Sequence, residues 1–197
     1  MIKNRQSIRL SNYDYSKPGY YFVTIGTKNK ENYFGEVSDK GVILSDTGEI
    51  AEKYWQEIPN HFSNIRLDRY IIMPNHVHGI IVITGEDDSV GVQNFEPLQK
   101  AVLQKKNRFQ HIIPKSLGSI IRGFKFGVTR WCCENNKQFC WQRNFYDHII
   151  RDEESLFNIR SYIVNNHLKW NDDIENKAIF KKLSKQAKKV YYEKIFE

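Results

Sequence analysis

Two histidines two residues apart, His76 and His78, carry the first chemical signal in this 197-residue chain. They sit in Pro74-Asn75-His76-Val77-His78, between the stretch Arg69 to Met73 and the run Gly79-Ile80-Ile81-Val82-Ile83. The β-branched run predicts a strand. Alternation along a strand puts residues i and i+2 on one face, so the imidazoles project together, about 6–7 Å apart at the backbone. Two imidazoles at that spacing can bind one divalent metal. A bare pair is more often two ordinary strand histidines, so its weight depends on what accompanies it.

A second set lies on a helix predicted from Asp152-Glu153-Glu154-Ser155 to about Trp170. Leu156, Ile159 and Ile163 form its apolar stripe, and Asn158, Tyr162, Asn165 and Asn166 lie on another, polar side. Tyr162 and Asn166 are four apart and face the same way. A tyrosine oxygen is a competent nucleophile once an adjacent metal polarises its target phosphate. The Asn166 carbonyl oxygen is a candidate third ligand beside two imidazole nitrogens. Tyr146, in Phe145-Tyr146-Asp147-His148, is the rival nucleophile. Tyr162 is preferred because its Tyr-x-x-x-Asn spacing supplies nucleophile and ligand from one helical face, leaving Tyr146, Asp147 and His148 to support the sheet end or to bind DNA.

These residues need a scaffold. Gly19 to Thr27 reads as a buried strand after the turn signal Pro18-Gly19. Phe34 to Val37 and Val42 to Leu44 read as a hairpin around Asp39-Lys40-Gly41. Ser45 or Asp46 caps a helix that runs through Tyr54 and Trp55 to Ile58 and ends at Pro59. Ile65 to Met73 is a strand, and His76 to Thr84 returns beside it. Ser116 caps a second helix through Leu117, Ile120, Ile121, Phe124 and Val128. Phe139 to Gln142 is a candidate fourth strand. The order approximates a split βαβ unit with an extra helix. The expected class is therefore α+β: a ferredoxin-like antiparallel sheet with helices on one face, its other face free for a ligand. Residues 85–115 read as a loop excursion, and residues 171–197, with Lys181, Lys182, Lys185, Lys188 and Lys189, as a basic helical tail. The whole of 1–197 is expected to be one domain.

Composition narrows the classes. A 40% apolar content fits a globular core, and a mean hydropathy of −0.61 fits a soluble chain. No apolar run approaches a membrane span, and Met1 to Gln6 lacks the apolar core of a signal peptide. Cys132, Cys133 and Cys140 are odd in number and form no C-x-x-C, which points to a reducing cytoplasm. A zinc site on Cys140 and His148 matches no known ligand spacing. Thirty Lys+Arg against 23 Asp+Glu give +7, a balance that favours nucleic acid as partner, though it also serves simple solubility. Aromatics interleave with the basic residues in Arg122-Gly123-Phe124-Lys125-Phe126 and Trp141-Gln142-Arg143-Asn144-Phe145-Tyr146, the mixture that base stacking and phosphate contact use and that core packing uses as well.

Together these features resemble the REP-associated tyrosine transposases, a group of the HUH single-tyrosine transposase superfamily related to insertion-sequence single-strand transposases. The resemblance runs from Arg9-Leu10-x-x-Tyr13-Asp14-Tyr15 and Gly19 to Thr24, through Met73-Pro74-Asn75-His76-Val77-His78-Gly79. It continues through Gly118 to Lys125 and Trp141 to Arg151 and ends at Tyr162-Ile163-Val164-Asn165-Asn166. It implies an additional C-terminal helix carrying the nucleophile, Tyr162. It implies a divalent metal, Mg²⁺ or Mn²⁺, on His76, His78 and Asn166, and single-stranded DNA with a hairpin as partner. The activity implied is cleavage and rejoining of that strand through a 5′-phosphotyrosine, with a monomer preferred over a dimer. Arg122, Lys125, Arg143 and Arg151 are the candidate phosphate contacts. His167 stands where the family usually has proline. The alternatives are a domesticated DNA- or RNA-binding protein and a metal-dependent nuclease that activates water.

Overall fold

The computed structural model describes residues 10, 13–85 and 113–182. Most of the expected 85–115 excursion, and the tail beyond 182, lie outside them. Four strands form the main sheet: β1 (Gly19–Gly26), β4 (Ile65–Met73), β5 (His76–Ile83) and β6 (Tyr146–Ile150). Their order is β4-β5-β1-β6 and every pairing is antiparallel, the arrangement expected of a ferredoxin-like sheet. β2 (Gly35–Ser38) and β3 (Gly41–Leu44) form the separate hairpin.

Period-two alternation sorts the side chains onto two faces. Tyr21, Val23 and Ile25 of β1, with Val77, Ile81 and Ile83 of β5, enter the larger core. Two helices cover that core. Helix α1 (Asp46–Gln56) contributes Ala51 and Trp55, and α3 (Leu117–Glu134) contributes Leu117, Ile120, Ile121, Phe124 and Val128. Both are capped as the sequence predicts: Ser45 Oγ accepts from Gly48 N, and Ser116 Oγ from Ser119 N. Pro59 does not end the first helix. It sits in the first turn of a separate short helix, α2 (Ile58–His61), where its missing N–H costs nothing. Gly79 is required where β5 meets α1, because a Cβ there would lie 2.3 Å from Trp55 Cζ2.

The opposite face holds Phe22, Ile80, Val82 and Ile150. It is not free along its length. Helix α4 (Glu153–Asn165) packs Leu156, Ile159 and Ile163 onto it, after Asp152 caps the helix by accepting from Ser155 N at 2.7 Å. The α-helix stops at Asn165, short of Trp170, and tightens into a 3₁₀ turn over Asn166–Lys169. Residues 171–176 form turns rather than the start of a helical tail, and α5 covers only Lys177–Lys182 within the described residues.

The fourth strand is also displaced from its expected place. Phe139 to Gln142 makes one bridge, Thr27 with Trp141. Phe139 and Trp141 instead turn into an aromatic cluster with Phe34 and Phe124, which takes them off the ladder. Tyr146–Ile150 pairs with β1, its polar start having masked its strand character.

Candidate metal and nucleophile site

β5 begins at His76, so the pleat carries His76 and His78 onto the α4 face. Both are fully buried, with ring centroids 4.3 Å apart. On the neighbouring strand, Thr24 pairs with His78, and Thr24 Oγ1 lies 2.9 Å from His78 Nδ1. Tyr162 projects down from α4 and places its hydroxyl 3.1 Å from His78 Nε2, with its ring edge-on to Phe22. The two residues singled out on separate elements therefore touch.

Hydrogen-bond bookkeeping assigns the His76 tautomer. Asn75 Nδ2 donates to Lys30 O at 3.2 Å and to Glu175 O at 3.0 Å, which turns Asn75 Oδ1 toward His76 Nδ1, 2.9 Å away. An amide oxygen only accepts, so Nδ1 carries the proton and Nε2 keeps its lone pair. That Nε2 is buried without a partner among the described residues. Asn166, one turn beyond Tyr162 and 1% exposed, has the same property: its Nδ2 donates to Asp173 Oδ2 at 2.8 Å and its Oδ1 is orphaned. Of the four buried, unpartnered side-chain polar atoms among the described residues, two are these. Buried acceptors without donors are costly, and a cation satisfies both.

Asp173 supplies what the two histidines and the amide lack, a negative charge. Its carboxylate lies within 4.8 Å of the ligand atoms of His76 and His78, and all three residues are buried. This set, with Asn166 Oδ1 beside it, suits a divalent cation that takes nitrogen and oxygen donors. Burial pushes Asp173 up to about 6, opposed by its Asn166 hydrogen bond and by Lys30. Burial, then Lys30, push His78 down to about 3. Burial, the neighbouring His78 and Lys30 hold His76 well below the usual imidazole range, opposed by the adjacent Asn166 amide. Both rings are thus neutral at pH 7, the form that donates a lone pair.

Asp173 is held in place from below. Its Oδ1 accepts from Glu175 N, Glu175 forms a buried ion pair with Lys30, and Trp170 stacks on His76 at 6.1 Å. Lys30 ends a tight turn in which Asn29 and Lys30 both take left-handed φ of 57°, an uncommon conformation for residues other than glycine. Nothing in the sequence pattern flagged Lys30, Glu175 or Asp173. Asp173 and Glu175 fall in the stretch 171–197, which reads as a basic helical tail, and the turns after the 3₁₀ segment instead bring Asp173 back to His76 and His78.

Tyr146 stands opposite Thr24 on β6, one strand further from His78 than Thr24 is. Cys140 and His148 do not meet: Cys140 O accepts from Lys28 N, whereas His148 pairs with Phe22, about 20 Å back along β1 by strand rise. His167 lies on the 3₁₀ turn outside the metal-capable group, and its carbonyl accepts from Trp170 N. Arg122, Arg143 and Arg151 are exposed. Lys125 is half-buried and committed to the fold: it donates to Gln142 O at 2.8 Å and Asn144 O at 3.2 Å, with its ammonium 5.4 Å from the Trp141 ring. Arg122 and Lys125 ride on α3, across the sheet from Tyr162.

No family model matches the sequence. An uncharacterized protein of Haemophilus influenzae is 44% identical over 173 residues, covering 87% of this chain and 93% of its own length. A second Haemophilus influenzae protein, named "putative REP-associated tyrosine transposase", is 25% identical over 81% of this chain and 77% of its own. Among solved structures, a REP-associated tyrosine transposase bound to a REP hairpin superposes with a TM-score of 0.54 at 17% identity, covering 82% of this chain and 73% of that one.

Proposed function

This chain belongs to the family of that 44%-identical protein and has the fold of a REP-associated tyrosine transposase, and from that premise we propose that it cleaves and rejoins single-stranded, hairpin-bearing DNA through Tyr162. The observation that carries the reading is the placement of the Tyr162 hydroxyl against His78 Nε2, at the edge of a buried cradle whose acceptors lack donors. His76, His78, Asn166 and Asp173 are the proposed holders of a divalent metal, Mg²⁺ or Mn²⁺. When bound, it supplies Lewis-acid polarisation and orientation of the scissile phosphate.

The chain's own residues do the rest. Thr24 Oγ1 holds His78 by its Nδ1, and with Thr24 as the acceptor the Nε2 lone pair is turned toward the site. Asn75 does the same for His76 from its own side of the ring. Tyr162 rests its hydroxyl on His78 Nε2, which places the phenol oxygen at the edge of the cradle; were His78 to hold a cation through that nitrogen, the phenol would no longer be hydrogen-bonded to it. The phenol oxygen then bonds to phosphorus in line with the departing 3′ oxygen, whose P–O bond breaks, and the phenol proton is balanced by the new 3′-hydroxyl. One phosphodiester is exchanged for another, so attack by a second 3′-hydroxyl rejoins strands with no external energy source. A hairpin beside the cut is the substrate feature that the relative's bound REP hairpin suggests. The chain is read as acting as one domain and as a monomer.

The test is incubation of the full chain with labelled hairpin-tailed single-stranded DNA and Mn²⁺. A covalent protein–DNA adduct that chelation suppresses supports the reading. Free cut ends without an adduct point to a water-activating nuclease, and binding without cutting points to a domesticated binder. Either outcome overturns the reading.

A further inference from the structure

A groove of about 560 Å³ opens beside the cradle, and neither the metal site nor the nucleophile uses it. Its walls come from the Lys28–Lys30 turn, the segment 140–143 and Phe180 of α5. Two cations, Lys28 and Arg143, stand exposed on it. Lys30 is also there, but its charge is spent on Glu175. Trp141 and Phe180 also line it, the Trp141 ring backed by Phe34, Phe124 and Phe139 and the Phe180 ring by the Lys30 ammonium. Trp141 is fixed by the Lys125 ammonium and by its Nε1 donating to Lys125 O at 3.1 Å.

The groove joins the cradle at Gly26. Gly26 pairs with His76 across the β1–β5 ladder, and its carbonyl accepts from Gln142 N at 2.8 Å. A Cβ at this position would lie 3.1 Å from Gln142 Oε1 and 3.8 Å from Glu175 Oε2. A side chain here would push the Gln142 amide away by a few tenths of an ångström, so Gly26 keeps Gln142 close across β1. The Gln142 amide thus lines a groove whose floor is one ladder step from a proposed metal ligand.

Cations at the rim, aromatic walls and a side-chain amide are the means by which proteins hold an unpaired strand: phosphates on the charges, bases on the rings, base edges on the amide. The volume falls within the range of small-ligand sites, about 300–1,000 Å³, enough to seat a base with its sugar. We propose that this groove seats an unpaired nucleotide next to the scissile phosphate, with Lys28 and Arg143 on the backbone and Gln142 on the base. The proposal rests on the strand-transfer reading above and adds the path of the strand and the residues that select it.

Cys140, exposed on the groove wall, offers a chemical probe, and exposed Cys133, near the C-terminal end of α3, a control. The host is the full chain with Tyr162→Phe, so that trapping needs no cleavage. Hairpin DNA carrying a disulfide-tethered thiol on successive bases of its single-stranded tail is added under exchange conditions. The expected result is a cross-link peaking at one or two tail positions, lost in Cys140→Ser and kept in Cys133→Ser. Lys28→Ala and Arg143→Ala should each weaken binding of the tailed hairpin several-fold and flatten the log–log salt slope by about 0.7. Equal trapping at both cysteines, or unchanged affinity and slope in the Lys28→Ala/Arg143→Ala double variant, overturns the proposal. Trapping at Cys140 with no adduct in the Tyr162-containing chain would sink the strand-transfer reading and leave the groove standing.

Discussion

At the scale of residues, the cradle depends on how lone pairs are aimed. His76 and His78 are legible in the sequence because a two-residue spacing on a strand has one geometric meaning. Tyr162 and Asn166 are legible because a four-residue spacing on a helix has another. Asn75, Asp173 and Lys30 are not, because they act through contacts made between distant segments, and no local period records those. Asn75 shows the consequence most clearly, since its amide ties His76 to both the Lys30 turn and the Glu175 segment. Asn75→Ala leaves those carbonyls and His76 Nδ1 without their partner and should cost about 1–3 kcal/mol in urea unfolding. It should also weaken Mn²⁺ binding by about 10–100-fold in calorimetry, the usual penalty for losing the group that orients a ligand. Unchanged Mn²⁺ affinity would mean that His76 needs no orienting partner.

At the scale of elements, α4 is the moving part of the account, because it sets Tyr162 against a strand. The sequence locates its start, where Asp152 precedes Glu153-Glu154-Ser155, and its apolar stripe. It does not reveal the end, because Asn166 and His167 suit either an α-helix or the tighter 3₁₀ turn, and burial of Asn166 beside Asp173 decides. The fourth strand was hidden for the converse reason. Tyr146-Asp147-His148 looks like chemistry rather than a strand, whereas Phe139 and Trp141 look like a strand, and tertiary packing puts the ladder on Tyr146–Ile150 and Phe139 and Trp141 in an aromatic cluster. Removing the cap isolates the contribution of the helix start. Asp152→Ala should cost about 1 kcal/mol of stability in urea unfolding, with little change in Mn²⁺ affinity, because the proposed ligands sit on β5 and beyond the far end of α4. A large loss of metal binding would show that the helix start positions the cradle.

At the scale of the molecule, the sheet has a well-packed face under α1 and α3 and a chemical face under α4, and the buried charges belong to the second. This predicts the response to acid. Burial and the nearby Arg151 push His148 down to about 4, and His76 and His78 are depressed as well. A histidine with a lowered folded-state value stabilises the fold fully above its unfolded value of about 6.5, and that contribution is lost as pH falls toward the folded value. Asp173, raised to about 6, acts in the opposite sense: its contribution is present below its unfolded value near 4 and is lost as pH rises toward 6. Three groups outweigh one, so the metal-free chain should lose stability between pH 6.5 and 4, and His148→Gln should remove about 1–2 kcal/mol of that loss, discounted for partial exposure. Thermal melts across that range provide the measurement, and a flat profile would contradict the burial of neutral imidazoles.

The central claim is that Tyr162 is the atom donor to the DNA phosphate. It is tested most directly by trapping the adduct on hairpin-tailed single-stranded DNA with Mn²⁺, digesting it, and locating the nucleotide-bearing peptide by mass spectrometry in the wild type, Tyr162→Phe and Tyr146→Phe. The account predicts a modified peptide containing Tyr162, loss of the adduct in Tyr162→Phe and its survival in Tyr146→Phe. An adduct that survives Tyr162→Phe and disappears in Tyr146→Phe would contradict it.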